Sequence, residues 1–119
     1  MGLIASIAVG FVAALHLFFL ALEMFLWNRP FGRRVFGLTP EFAKASAGLA
    51  ANQGLYNGFL AAGLFWGLSL GAGGAGVKIF FLGCVLIAGV YGAASTGMRR
   101  ILFIQAVPAA VALALLLLS

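Results

Sequence analysis

Residues 3–27 read LIASIAVGFVAALHLFFLALEMFLW, and this stretch decides the fold. It is apolar almost throughout, with His16 and Glu23 as its strongest polar side chains. A bilayer core needs roughly 20 apolar residues at about 1.5 Å of rise each, so the run is long enough to cross one. A signal peptide would open with a positively charged segment, and no basic residue precedes this run. Gly2 and Ser6 match an N-myristoylation pattern, but Gly2 leads straight into the apolar run, so the match carries little weight.

Working outward, Asn28, Arg29 and Pro30 stop the first helix. Basic and aromatic residues alternate from Phe31 to Leu38, as in a loop lying at lipid headgroups. Thr39-Pro40-Glu41 reads as a helix start: a hydroxyl cap, proline at the first helical position and an acid in the first turn. The second helix is predicted over residues 40–70, long enough to tilt or protrude. Glycines between Gly71 and Gly76 break it. A third helix is predicted over 77–96, a tight turn at Gly97–Arg100, and a fourth helix over 101–118. The expectation is an all-α integral membrane four-helix bundle with spans at about 3–27, 40–70, 77–96 and 101–118, forming one transmembrane domain over residues 1–119.

Composition agrees. Of 119 residues, 65% are hydrophobic and 8% charged, where an ordinary soluble domain carries roughly a quarter charged. This argues against a soluble enzyme, a disordered tail and a nucleic-acid binder. Lone Cys84 cannot close an internal disulfide. The net charge of +5 is read as topology. Arg29, Arg33, Arg34, Lys44, Arg99 and Arg100 fall on one side of a four-span layout, and Lys78 alone on the other. The positive-inside rule then puts the first and third loops in the cytoplasm and both termini outside a bacterial inner membrane.

Polar side chains in hydrocarbon are costly unless they face protein or water. On a helical wheel His16 and Glu23 share a stripe with Ala5, Val9, Val12 and Trp27. Asn52, Gln53, Tyr56 and Asn57 form an arc on the second helix, continued by Gly63 and Gly67. Tyr91 lies with Cys84 and Ser95 on the third, and Gln105 with Ala109 and Ala112 on the fourth. The expectation is a polar centre lined by Glu23, His16, Asn52, Gln53, Tyr56, Asn57, Tyr91 and Gln105. Asn and Gln often serve only as glue between helices, and a lone histidine is more often a bonded core residue than a ligand. A carboxylate is different: at that depth Glu23 must be paired, hydrated or protonated, and Arg33 or Arg34 is the bland partner at the interface. No metal site or cofactor is expected, since His16 has no second histidine beside it.

Gly54, Gly58 and Ala62 form a small-residue ridge opposite the polar arc. Such ridges let helices approach closely, either inside the bundle or against another copy or a larger complex. Gly89 and Gly92 suggest a second close contact. Pro108 should kink the fourth helix and leave the Ile104 carbonyl without its usual partner.

These residues also carry a resemblance. The first helix reads H-x-x-F-x-x-x-E-x-x-x-W at His16, Phe19, Glu23 and Trp27. The second reads NQGLYNGFLAAGL from Asn52 to Leu64, the third AGVYGAAST from Ala88 to Thr96, and the fourth Q-x-x-P-A at Gln105, Pro108 and Ala109. The chain resembles a family of small four-helix bacterial membrane proteins known as a domain of unknown function. The resemblance implies a bacterial plasma-membrane protein and supplies no substrate. A more distant likeness links the bundle to DoxX-type proteins, some of which accompany quinol-oxidising complexes, by fold analogy alone.

Three functions compete. The first is binding or transport of a small amphipathic ligand, or of protons, at Glu23. The second is an accessory subunit of a larger membrane complex. The third is a lipid-modifying enzyme using Glu23 and His16 as an acid–base pair, which lacks a nucleophile motif or phosphate-binding loop. A non-enzymatic role is therefore favoured.

Overall fold

The computed structural model describes residues 2–119, and its regular elements are all helical. Leu3–Met24 forms α1, Pro30–Phe36 α2 and Pro40–Ser69 α3. A 3-10 turn at Gly71–Gly74 leads into α4, Ala75–Thr96. One further helical stretch begins as α5, Arg99–Ile101, widens into a π-helical turn at Leu102–Ala106, and continues as α6, Val107–Leu118.

Local chemistry explains most of the boundaries. The Thr39 hydroxyl accepts the Phe42 N–H at 3.1 Å, and Pro40 opens α3. Gly97 ends α4 with φ of 72°, a left-handed conformation that costs a glycine little. Its N–H returns to the Ala93 carbonyl at 2.9 Å.

Four expectations need correction. First, α1 ends at Met24 and not at Trp27; the Phe25 and Leu26 N–H groups both turn back to the Ala21 carbonyl, at 3.0 and 3.1 Å. Second, the first loop contains a helix. Pro30 lies in the first turn of α2, where its missing N–H costs nothing, and Gly37 stops α2 with φ of 67°. Third, α4 begins at Ala75, two residues before Val77. Fourth, the last helical stretch begins at Arg99, inside the expected turn and two residues before Ile101, and a wider turn precedes Pro108. The Val107 N–H bonds to the Leu102 carbonyl, the five-residue reach of a π-helix.

Among the described residues three stretches are long and apolar enough to cross a membrane: Leu3–Met24, Gly71–Thr96 and Arg99–Leu118. The more polar α3 is not among them.

The chain divides into two compact units. One holds the start of the chain to Ala14 together with Leu60–Ser119. Its hydrophobic cluster is Val9, Val12 and Ala13 of α1, Leu64 of α3, Leu82 and Val85 of α4, and Ala109, Ala112 and Leu116 of α6, and the unit also buries the side chain of Lys78. Glycines set the spacing here. A Cβ on Gly89 would lie 2.7 Å from the backbone nitrogen of Ala106, and one on Gly63 would lie 2.4 Å from the Phe81 ring. A Cβ on Gly92 would meet Ile101 at 3.2 Å.

The other unit, Leu15–Phe59, joins the end of α1, all of α2 and the first part of α3. Gly54 packs against Met24, and Gly58 against Leu20, so α1 and α3 run antiparallel here. Residues 40–53 of α3 therefore run on past the end of α1 by about 21 Å.

Candidate functional site

Along α3 the buried seam falls at Ala43, Ala50, Asn57 and Leu64, every seventh residue. Asn57 is its one polar member. Within the Leu15–Phe59 unit the Asn57 side-chain amide donates a hydrogen bond to Oε1 of Glu23 on α1. The glycines on either side allow this approach. A Cβ on Gly54 would lie 3.1 Å from Cβ of Glu23 and 2.6 Å from Cγ of Met24, and one on Gly58 would lie 2.7 Å from Cδ1 of Leu20.

The pair is held in register from the end of α1. The indole N–H of Trp27 donates to the Ser46 hydroxyl at 2.9 Å, and Ser46 in turn donates to the Phe42 carbonyl at 2.7 Å. The Trp27 and Phe36 rings pack with centroids 4.8 Å apart, tying α2 to the same corner. Gly32 of α2 is buried against the Leu26 carbonyl, leaving no room there for a Cβ.

Arg33, expected as the bland partner of Glu23, is engaged elsewhere. Its Nη1 donates to the Asn28 carbonyl at 2.8 Å and to the Asn28 side-chain oxygen at 3.2 Å. The partner of Glu23 is the neutral amide of Asn57. The negative end of the α1 dipole lies beside the carboxyl, since α1 ends one residue later.

The remaining polar residues scatter. His16 is fully buried and meets Phe19 edge-on at 5.2 Å. Asn52 and Gln53 are exposed; they lie off the side of α3 that is buried at Ala43, Ala50 and Asn57. Tyr56 is 53% exposed and touches Phe59, with ring centroids 5.8 Å apart. In the other unit Tyr91 is 71% exposed, while Gln105 is half-buried in the π turn. The inward arc expected of Asn52, Gln53 and Tyr56 is thus rotated, with Asn57 alone turned in. Tyr91 likewise faces outward. Polarity is a poor guide to the inner face of α3.

The small-residue ridge is rotated as well. Gly54 and Gly58 face α1 on the same side as Asn57, so this part of the ridge is occupied within the chain. Ala62 is exposed.

Lys78, the lone basic residue on the other side of the expected four-span layout, is read from the sequence as a topology marker only. It is 0% exposed, and its charge is not left without a partner. Gly67 makes the room, since a Cβ there would sit 2.6 Å from Cγ of Lys78. The sequence signal was a glycine on one helix facing a long side chain on the next, and it is legible only once the pairing is known.

Chemically, Glu23 and Asn57 offer a carboxyl group and an amide. No group of three or more His, Cys, Asp or Glu among the described residues could hold a metal ion. A groove of about 440 Å³ in the other unit is walled by Ile4, Ile7, Phe11, Val107, Pro108 and neighbouring apolar residues, and offers contact with hydrocarbon only.

Searches of curated proteins and of solved structures find no match, and neither brings up a DoxX-type protein. A family model described as "Protein of unknown function (DUF1304)" matches residues 10–117, which takes in Glu23, Asn57 and every residue that holds them. The chain belongs to the DUF1304 family.

Proposed function

We propose that this chain is a four-span protein of a bacterial plasma membrane whose Glu23–Asn57 pair is a polar site for a small amphipathic ligand with a cationic or hydrogen-donating head. One observation carries the reading: the carboxyl of Glu23 is hydrogen-bonded to a neutral amide and not to a cation. A carboxyl group in such a place needs a positive or proton-donating complement, and the adjoining end of α1 adds to that preference. A proton meets the same need, so proton relay is the variant of this reading that Glu23 also supports. Half-buried Phe19 and Leu20, one turn from Glu23 on the same side of α1, suit the hydrocarbon part of an amphipathic molecule.

In this reading α3 is the fourth span, and its first part stands in the headgroup region. With Lys78 buried, the exposed basic residues are Arg29, Arg34, Lys44, Arg99 and Arg100, with half-buried Arg33 among them. All of these lie in the first and third connections or the helix ends beside them, which favours a cytoplasmic location for those loops. Gly54 and Gly58 are taken up by α1, so a role as an accessory subunit or homo-oligomer would need another surface.

The test uses purified protein with two assays. Tritiated tetraphenylphosphonium binding is measured by equilibrium dialysis in detergent, and potential-driven proton flux is followed with a trapped pH dye in liposomes. Glu23→Gln, checked for helicity by circular dichroism, should lose one of these activities by at least tenfold. Two activities that both survive in a folded Glu23→Gln protein would contradict the proposal.

A further inference from the structure

Helix α2 is fastened by one side. Gly32 is pressed against the Leu26 carbonyl, Phe36 packs on Trp27, and Arg33 is bonded to Asn28. Phe31, Arg34 and Val35 occupy the other side at helical spacing, and all three are exposed. Arg29 just before the helix and Lys44 on α3 are also exposed, as are Phe25 and Phe42. The side chains of Arg29, Arg34 and Lys44 have no hydrogen-bond or ion-pair partner among the described residues. This unit carries Arg29, Arg33, Arg34 and Lys44 against Glu23 and Glu41, and so has a positive excess.

We infer that the outward face of α2 is an in-plane binding surface for an anionic phospholipid, with Phe31 and Val35 among the acyl chains and Arg34 and Arg29 on the headgroup phosphate. Charge complementarity identifies the occupant. The unit offers two unpaired guanidinium groups, which suit the oxygens of a phosphate, beside aromatic and aliphatic groups that belong at the acyl boundary. A soluble anion would use the arginines and leave Phe31 and Val35 in water. A protein partner would have to cover the same apolar face with acidic groups. A general topology signal counts charges alike. A bound headgroup distinguishes Arg34, which faces out, from Arg33, which is engaged with Asn28.

The experiment is native mass spectrometry of the full chain extracted from vesicles of equal phosphatidylglycerol and phosphatidylcholine. The wild type should retain phosphatidylglycerol preferentially. Arg34→Gln should lower that retention roughly fivefold, the effect of about one basic residue at an anionic surface. Arg34→Lys should keep most of it, and Arg33→Gln should change it less than about twofold. No preference for phosphatidylglycerol in the wild type would overturn the inference. Equal losses from Arg33→Gln and Arg34→Gln would overturn it too, because they would mean a diffuse charge effect. Should Arg33→Gln fail to fold, the contrast between Arg34→Gln and Arg34→Lys decides, and equal losses from those two would also count against it.

Discussion

The unit containing Leu60–Ser119 packs through absences. Apart from the buried Lys78 its core is apolar, and its helices approach because glycines such as Gly89 and Gly63 have no side chain to hold them apart. The Leu15–Phe59 unit packs through specific polar and aromatic links: Glu23 to Asn57, Trp27 to Ser46, Trp27 to Phe36 and Arg33 to Asn28. The difference follows from the side chains each unit offers. Apolar surface gains nothing by leaving lipid, so helices there depend on close contact and dispersion. Near the end of α1, hydrogen bonds and rings can set register where apolar packing alone leaves it free.

The comparison breaks first at glycine. Gly89→Ala would press a methyl group against the backbone nitrogen of Ala106, which cannot swing away. A loss of about 3 kcal/mol is expected in reversible unfolding from mixed micelles. Gly54→Ala meets Cγ of Met24 at 2.6 Å, Cβ of Glu23 at 3.1 Å and the Leu20 carbonyl oxygen at 3.2 Å, with no backbone atom closer than 3 Å, and should cost about 2 kcal/mol. Equal costs would mean that the two units pack alike.

The polar link comes next. Asn57→Leu removes the amide and leaves the Glu23 carboxyl without its partner, which should cost about 2 kcal/mol in the same assay. The double variant Glu23→Leu/Asn57→Leu should cost less than the two single losses added together, with a coupling of about 0.6 to 2 kcal/mol. Additive losses would show that the two side chains do not interact.

A smaller effect is expected at Trp27. Trp27→Phe keeps the ring contact with Phe36 and removes the bond to Ser46, at a cost of about 1 kcal/mol. The smallest effect has the opposite sign. Gly48 lies exposed within α3, with nothing near its would-be Cβ. Gly48→Ala should raise stability by about 0.5 to 1 kcal/mol through helix propensity. A loss there would point to a contact on the exposed side of α3.

Much of this architecture was legible in the residues themselves. Apolar run length marked α1 and the last two long helices, Thr39-Pro40 marked the start of α3, and Gly97 marked the end of α4. Glu23 stood out because a carboxyl in an apolar run has few physical options. Its partner was harder to find. Asn52, Gln53 and Tyr56 look equivalent to Asn57 on a wheel, because a wheel carries no information about which side the neighbouring helix lies on. The better signal was the seven-residue spacing of Ala43, Ala50, Asn57 and Leu64, in which small or apolar residues frame one amide. Lys78 was misplaced for a related reason: a lysine in a first helical turn reads the same whether it reaches solvent or lies in the space left by Gly67. Helix α2 was hidden because seven residues hold too few turns to show a periodicity.

The pairing of Glu23 with Asn57 underlies both the site and the register of α1 against α3, and solid-state NMR in bilayers can measure it directly. The chain has two acidic side chains, Glu23 and Glu41, so a labelled glutamate carboxyl carbon is readily assigned. Dipolar recoupling to labelled asparagine side-chain nitrogen should give one carboxyl-to-amide distance below about 4 Å, consistent with a hydrogen bond. That coupling should persist in Asn52→Leu and vanish in Asn57→Leu. No such coupling in the wild-type protein, or one that survives Asn57→Leu, would contradict the account.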